Sequence, residues 1–150
     1  MPEADDILSE AERKALASVT ARGTALPKVL IVEDDKGSRE ALASYLKAHG
    51  IRCLAAENTT VAFDYLKREP RIGLLITDLR MQPVGGIEFI EQIRESDQAA
   101  LPIIIVSGDA KVQDAIAAMH LSVVDFLLKP LDQEKLEKLV KLVRHELGIG

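Results

Sequence analysis

The sequence lacks the features on which disulfide-bonded, zinc-bound and membrane proteins depend. It has one cysteine, Cys53, no tryptophan and three histidines in 150 residues. A single cysteine excludes an internal disulfide and a paired-thiolate zinc site, and it favours a reducing compartment. No apolar run approaches the ~20 residues of a spanning helix, and the first residues are acidic where a signal peptide would be basic. We expect a soluble, cytoplasmic protein without a membrane partner.

The composition describes one acidic globular domain. The hydrophobic content is 47% and the formal net charge is -5. A chain of 150 residues can bury a substantial core but is too short for two domains of ordinary size. The negative charge gives no reason to expect nucleic-acid binding, whereas it suits a cation ligand.

The first residues differ in character from the rest of the chain. Residues 1–27 are charged and alanine-rich, and their apolar residues recur at near-helical spacing, at Ile7, Leu8, Ala11, Ala15 and Val19. This spacing predicts a marginal helix, and Gly23 and Pro27 predict a linker after it. We therefore divide the chain into an N-terminal tail, residues 1–27, and a domain, residues 28–150. The tail is either an added helix without chemistry or a segment that binds a partner.

From residue 28 onward, short apolar runs alternate with helical patterns. The runs are KVLIVE, IRCLAA, IGLLIT, PIIIVS and VVDFLL. They are nearly continuous in Val, Ile and Leu, which is typical of parallel strands covered on both faces. Helical patterns cover residues 38–49, 59–68, 86–95, 112–119 and 133–147, and the last follows a capping Asp132 and stops at Gly148. The alternation predicts a doubly wound α/β sheet with five parallel strands and five helices.

Polar side chains stand where four of the five apolar runs end. They are Glu33, Asp34 and Asp35 after the first run, Asp78 after the third, Ser107 after the fourth and Lys129 after the fifth. Ligands of such sheets bind at the carboxyl ends of the strands. Three converging carboxylates, those of Glu33, Asp34 and Asp78, would repel one another without a cation. Oxygen ligands in small number indicate Mg²⁺, and the three histidines lie on helices or helix ends, away from these strand ends.

This set of residues suits the transfer of a phosphoryl group. Lys129 supplies a positive charge, Ser107 a hydroxyl, and an aspartate can accept the group as an acyl phosphate. The sequence has no P-loop, no GxGxxG and no GxSxG around Ser107, which argues against a nucleotide cradle or a serine hydrolase. A phosphohydrolase of the haloacid dehalogenase type would need a carboxylate where Arg80 stands, and a Toprim nuclease lacks its acidic doublet here.

Four segments in this order resemble a known family: VLIVEDD, LLITDLRM, PIIIVSGDA and DFLLKP. Residues 29–147 resemble the receiver domain of two-component response regulators. The resemblance implies a flavodoxin-like sheet of strand order 2-1-3-4-5 with five helices, preceded here by an N-terminal extension. It also implies a regulatory protein rather than a turnover enzyme.

The resemblance implies an acceptor and a metal site. Asp78 would receive a phosphoryl group from a sensor histidine kinase or a phosphotransfer protein. Asp34 would bind Mg²⁺ directly, Glu33 through water, and Arg80 through its backbone carbonyl, with Asp78 completing the set.

The resemblance also implies a switch. Ser107 would hydrogen-bond the phosphoryl group and move toward it, Lys129 would pair with the phosphate, and Phe126 would change rotamer as Ser107 moves. The readout would be a surface near the fourth and fifth helices, for a downstream effector, an output domain or a homodimer.

Three positions depart from the family's usual pattern. Gln82 separates Met81 from Pro83, Ser122 stands where glycine is frequent, and Phe126 lacks the hydroxyl of the more familiar tyrosine. None of the three removes a phosphorylation residue. The alternative is a receiver-shaped interaction module that is not phosphorylated. Since the sequence stops shortly after the fifth helix, we expect either a stand-alone receiver or part of a longer regulator.

Overall fold

A computed structural model of the chain describes residues 27–149. Residues 1–26 and residue 150 lie outside the described part. The predicted marginal helix of the tail therefore lies outside the described residues, and the division at residue 27 stays a prediction.

The described chain alternates strands and helices from its first element to its last. The strands are β1 (Lys28–Val32), β2 (Arg52–Ala56), β3 (Ile72–Thr77), β4 (Ile103–Ser107) and β5 (Asp125–Leu128). The helices are α1 (Lys36–Ala48), α2 (Thr59–Arg68), α3 (Gly86–Arg94), α4 (Val112–His120) and α5 (Gln133–Leu147). All strand pairs are parallel, in the order β2-β1-β3-β4-β5. The predicted fold class and strand order are confirmed.

The sheet separates two layers of apolar side chains. Leu30, Leu75 and Ile105 pack on the side of α2, α3 and α4, whereas Ile31 and Ile76 pack on the side of α1 and α5. Successive strand residues point to opposite faces, so a strand covered on both sides must be apolar at every position. All five residues of β4 are buried. This burial is the physical reason for the continuous apolar runs in the sequence.

Polar side chains fix several helix ends. Asp35, Asn58 and Asp132 cap α1, α2 and α5, each accepting a backbone hydrogen bond of 2.8–2.9 Å from the residue three positions later. Gly148 ends α5 in the left-handed region, with φ of 68°, where glycine carries no steric penalty. The predicted start and stop of α5 are confirmed.

Two element boundaries differ by two residues from the sequence pattern, and the others differ by one residue at most. Helix α1 begins at Lys36 rather than residue 38, because Asp35 already caps it. The apolar run VVDFLL forms a strand only from Asp125, because the preceding turn places Ser122 at φ of 57°. Within residues 27–149, no helix is long and apolar enough to cross a membrane.

Candidate functional site

The backbone around Asp78 is held by the end of the sheet. Asp78 follows β3, and its N–H donates to the carbonyl of Val32 at 3.1 Å, which extends the β1–β3 pairing by one residue. The N–H of Arg80 donates to Asp78 Oδ1 at 3.1 Å. The Asp78 residue is only 7% exposed. One carboxylate oxygen is thus held by the backbone.

The other oxygen faces the ammonium group of Lys129. Lys129 Nζ lies 2.9 Å from Asp78 Oδ2 and also hydrogen-bonds Glu33 Oε1. The N–H of Lys129 donates to the carbonyl of Ser107 at 2.9 Å, so the lysine follows the register of β5 against β4. Three strand ends therefore meet at one ammonium group, as predicted from the edge of a parallel sheet.

This contact sets the ionisation of the three groups. Burial opposes a charge on Asp78, but hydrogen bonds from Lys129 and from the Arg80 backbone outweigh burial and hold the pKa of Asp78 below its ordinary value. Burial raises the pKa of Glu33, and Lys129 offsets this only in part. Burial would lower the pKa of Lys129, yet its bonds to both carboxylates raise it. Asp78 is therefore the more acidic of the two carboxylates.

Asp34 differs from the other two carboxylates in its exposure to solvent. It is exposed, whereas Glu33 is buried and accepts a hydrogen bond of 3.2 Å from the Asp35 N–H. Among residues 27–149, no three acidic, histidine or cysteine side chains lie close enough to hold a metal ion together. The predicted convergence of three carboxylates is therefore found only for Glu33 and Asp78, which Lys129 joins.

The same residues nevertheless line one cleft. A cleft of about 540 Å³ is bordered by Glu33, Asp34, Asp35, Asp78, Arg80, Gly108, Asp109 and Lys129. Its acidic side chains offer oxygen ligands, which suit Mg²⁺. These oxygens are too few to surround the ion completely. This arrangement fits an ion that keeps several waters and shares a phosphoryl group. The Mg²⁺ site stays a prediction.

Ser107 and Phe126 lie on the β4–β5 side of the cleft. Ser107 is fully buried, and its Oγ accepts a long hydrogen bond of 3.4 Å from the Asp109 N–H. Phe126 is partly buried against the core layer under α2, α3 and α4. Ser107 ends β4, as predicted, and the switching roles of Ser107 and Phe126 stay predictions.

An ion pair crosses the mouth of the cleft. The guanidinium of Arg80, on the β3–α3 loop, contacts the carboxylate of Asp109, on the β4–α4 loop. Their side chains are 71% and 50% exposed. The pair therefore links the acceptor loop to the loop that follows Ser107.

The loop with the unusual Gln82 is anchored by α2. The Thr59 N–H and hydroxyl both donate to the carbonyl of Gln82, at 3.0 and 3.1 Å. The Thr59 hydroxyl in turn accepts from the Val84 N–H at 3.3 Å. Thr59 is 1% exposed, so a buried residue holds the backbone of the exposed Gln82 in place.

Two residues that support the site were missed from the sequence. A Cβ atom on Gly86 would lie 2.5 Å from the Asp78 carbonyl oxygen and 2.6 Å from the Leu79 Cα. The Arg39 guanidinium donates to the carbonyls of Glu33 and Asp34, at 2.9 and 3.3 Å. Paired glycines shortly after a proline, as Gly85 and Gly86 are after Pro83, are typical of a turn but do not predict this close approach. No sequence signal points to Arg39.

A family model described as the response regulator receiver domain matches residues 29–141. The chain belongs to the response regulator receiver family of two-component signalling. This family is regulatory rather than a group of turnover enzymes.

Curated relatives differ in how much of their length the chain covers. The response regulator protein FleR of Pseudomonas aeruginosa is 35% identical over 121 residues, which are 81% of this chain and 25% of that protein. The transcriptional regulatory protein GlrR of Escherichia coli is 33% identical over 108 residues, 72% of this chain and 24% of that protein. The chain thus spans about a quarter of these relatives. It spans 88% of the two-component response regulator ORR11 of rice, at 28% identity over 86% of this chain.

Solved receiver structures share the fold. A response regulator receiver protein from Pseudomonas putida is 52% identical, with a TM-score of 0.76, and the match covers 80% of this chain and 97% of that one. The chemotaxis response regulator CheY4 of Vibrio cholerae matches with a TM-score of 0.69 over 79% of this chain and 98% of that one. At 24% identity, this second likeness concerns the fold alone.

The close approach at Gly86 predicts a contrast between two neighbouring glycines. Gly86→Ala should lower the free energy of unfolding by ~1–3 kcal/mol, because a Cβ atom would collide with the backbone that carries Asp78. Gly85→Ala is the control, since nothing lies within 4 Å of its Cβ position and its φ is -65°; it should cost ~1 kcal/mol at most. Urea unfolding measures both. Equal losses would contradict the steric account.

The shared ammonium predicts a pH-dependent loss of stability in Lys129→Met. At pH 7 two poorly exposed carboxylates would face each other, and we expect a loss of ~2 kcal/mol after allowing for partial exposure. The raised pKa of Lys129 means that its contribution is complete at neutral pH and is lost only as alkaline pH passes that pKa. As pH falls toward ~4, the carboxylates of the variant take up protons and the difference shrinks.

Urea unfolding at neutral and at acidic pH, without divalent cations, measures the free energy of unfolding. Lys141→Met, on the exposed side of α5, is the control and should change stability by less than ~0.5 kcal/mol at either pH. A loss in Lys129→Met that grows on acidification would contradict the charge-neutralising role of Lys129.

Proposed function

We propose that the chain is a phosphorylation-dependent switch whose acceptor is Asp78. The observation that carries this proposal is the pairing of an acidic Asp78 with Lys129 in a cleft at the carboxyl edge of the sheet. The donor would be a sensor histidine kinase or a phosphotransfer protein. The receiver would pass its state to an effector protein or an output domain. The relative GlrR is a transcriptional regulatory protein by name, which supports this kind of readout.

In the proposed reaction a carboxylate oxygen of Asp78 attacks the phosphorus of phosphohistidine. A P–O bond forms, the P–N bond breaks, and the imidazole leaves with the electron pair and takes up a proton. Lys129 lies 2.9 Å from Asp78 Oδ2 and would move its hydrogen bond to the phosphoryl oxygens. The buried hydroxyl of Ser107 would supply a further donor once the β4–α4 loop shifts.

Mg²⁺ would be held by Asp34, Asp78 and the carbonyl of Arg80, with Glu33 acting through water. When bound, the ion neutralises charge on the phosphoryl oxygens. Arg39 would keep the β1–α1 loop in place by its bonds to the two carbonyls. Glu33, tied to Lys129, would keep the ammonium centred between the strand ends.

The readout would involve α4 and β5. Val112, Ile116 and Met119 recur along one face of α4 and are 79%, 50% and 76% exposed, and Leu128 is 50% exposed. Such a surface suits a partner or a homodimer. Phe126, directly before the buried Leu127 on β5, would transmit the movement of Ser107 to this surface.

Labelling tests the acceptor and the metal together. A small radiolabelled acyl phosphate with millimolar Mg²⁺ should label the parent chain and leave Asp78→Asn unlabelled, because an amide oxygen is a poor nucleophile. Removal of Mg²⁺ with a chelator should abolish the label, and added Mg²⁺ should restore it. Asp97→Asn, in an exposed loop, is the control. Equal labelling of Asp78→Asn would place the acceptor elsewhere, and an unlabelled parent would favour the non-phosphorylated module.

The ion pair at the cleft mouth would control the lifetime of the acyl phosphate. Water must reach the phosphorus from the open side of the cleft, and the Arg80–Asp109 pair spans that side. While either side chain lies across the mouth, it keeps water away from the phosphorus. We therefore propose that the pair slows hydrolysis of the acyl phosphate.

Arg80→Ala and Asp109→Ala should each shorten the half-life of the phosphorylated protein by about two- to fivefold, the range that an exposed ion pair supports. The double variant should be no faster than either single variant, because the two side chains act as a unit. Arg71→Ala, exposed at the opposite edge of the sheet, is the control. The half-life is measured by loss of label after removal of the donor. Unaltered half-lives in both single variants would contradict the role of the pair.

A further inference from the structure

An apolar groove runs between α1 and α5 and opens beside the acceptor. Its volume is about 680 Å³. Leu42 and Tyr45 of α1 form one wall, and Leu131 and Leu136 form the other. All four are only partly buried, so the groove leaves apolar side chains without a complete cover among residues 27–149.

The groove has a closed and an open end. Near the amino ends of the strands, Arg144 of α5 donates to the carbonyl of His49 at 2.6 Å and joins the two helices. At the other end the groove reaches Asp78 and Lys129. A chain segment lying along the groove can therefore reach Asp78.

We propose that residues 1–26 of this chain cover the α1–α5 groove. This covering is independent of the proposed function. Pro27, the residue that follows the tail, lies on the side of the sheet that α5 covers. A Cβ atom on Gly73 would lie 2.9 Å from Leu147 and 3.2 Å from Pro27, so Pro27 lies beside the end of α5.

The length and pattern of the tail fit the groove. Twenty-six residues span ~39 Å even when fully helical, whereas the 15 residues of α5 span ~22 Å. The tail is therefore long enough to reach the open end of the groove. Its bulkiest adjacent apolar pair, Ile7 and Leu8, lies far enough from Pro27 to arrive there. Because the tail is covalently attached, weak contacts suffice for docking.

The charges of the two surfaces are complementary. The tail has five acidic and three basic side chains, so its net charge is negative. The two helices beside the groove have seven basic side chains (Lys36, Arg39, Lys47, Lys135, Lys138, Lys141 and Arg144) and four acidic ones (Glu40, Glu134, Glu137 and Glu146). In a protein of net charge -5, this basic excess favours an acidic occupant over a basic one.

Thiol labelling of the full chain tests the covering directly. Ala41 is exposed and lines the groove, so Ala41→Cys in a Cys53→Ala background reports access to it. Ile7→Asp with Leu8→Asp should raise the rate of reaction with a bulky maleimide by about tenfold, as expected for a segment docked ten times as often as it is free. The matched control, Ala17→Asp with Thr20→Asp, adds the same charge off the apolar positions and should leave the rate unchanged.

A second reporter separates the groove from the rest of the surface. Glu91→Cys, on the exposed side of α3 across the sheet, should react at one rate in all tail variants. Equal rates for Ala41→Cys with and without the Asp pair would overturn the proposal. So would protection of Ala41→Cys that grows with protein concentration, because a second copy would then be the occupant. The assay uses neither Mg²⁺ nor a phosphoryl donor, so its failure is independent of the proposed function.

Discussion

The site depends on one ammonium group shared by two carboxylates. Lys129 extends from the end of β5 and contacts Glu33 and Asp78. These two acids follow the neighbouring strands β1 and β3. Without that cation, two poorly exposed negative charges would oppose the packing of the sheet edge. With it, Asp78 stays ionised in the folded protein. The proposed phosphorylation would act on the same balance, because it adds negative charge where Lys129 already has two partners.

The two sides of the cleft differ in how firmly they are held. On the β3 side, Gly86 lies directly against the Asp78 backbone and Thr59 anchors the loop at Gln82. On the other side, α4 has a single buried residue, Ala118, and the Ser107 hydroxyl makes only a long hydrogen bond. Elements with few buried contacts open at the lowest cost in free energy. A charge added at Asp78 would therefore move the β4–α4 side and leave the acceptor in place.

Much of the fold and part of the site were predictable from the sequence. The continuous runs, such as all five buried residues of β4, indicate strands covered on both faces, and the caps Asp132 and Gly148 mark α5 correctly. Asp78, Ser107 and Lys129 were found because they follow apolar runs. Gly86 and Arg39 were missed, since their roles depend on atoms brought close by the fold. The exposure of Asp34 beside the buried Glu33 was missed for a related reason: the side chains of adjacent residues after a strand point in different directions.

The sequence by itself determined the layer architecture and which polar residues meet at the carboxyl edge, because hydrophobic periodicity and strand direction are local properties. Only the tertiary structure decided which carboxylates share Lys129, that Arg80 and Asp109 pair across the mouth, and that α1 and α5 leave a groove beside Asp78. These outcomes depend on distances of a few ångströms between residues far apart in the chain. Such distances follow from packing, which no local pattern encodes.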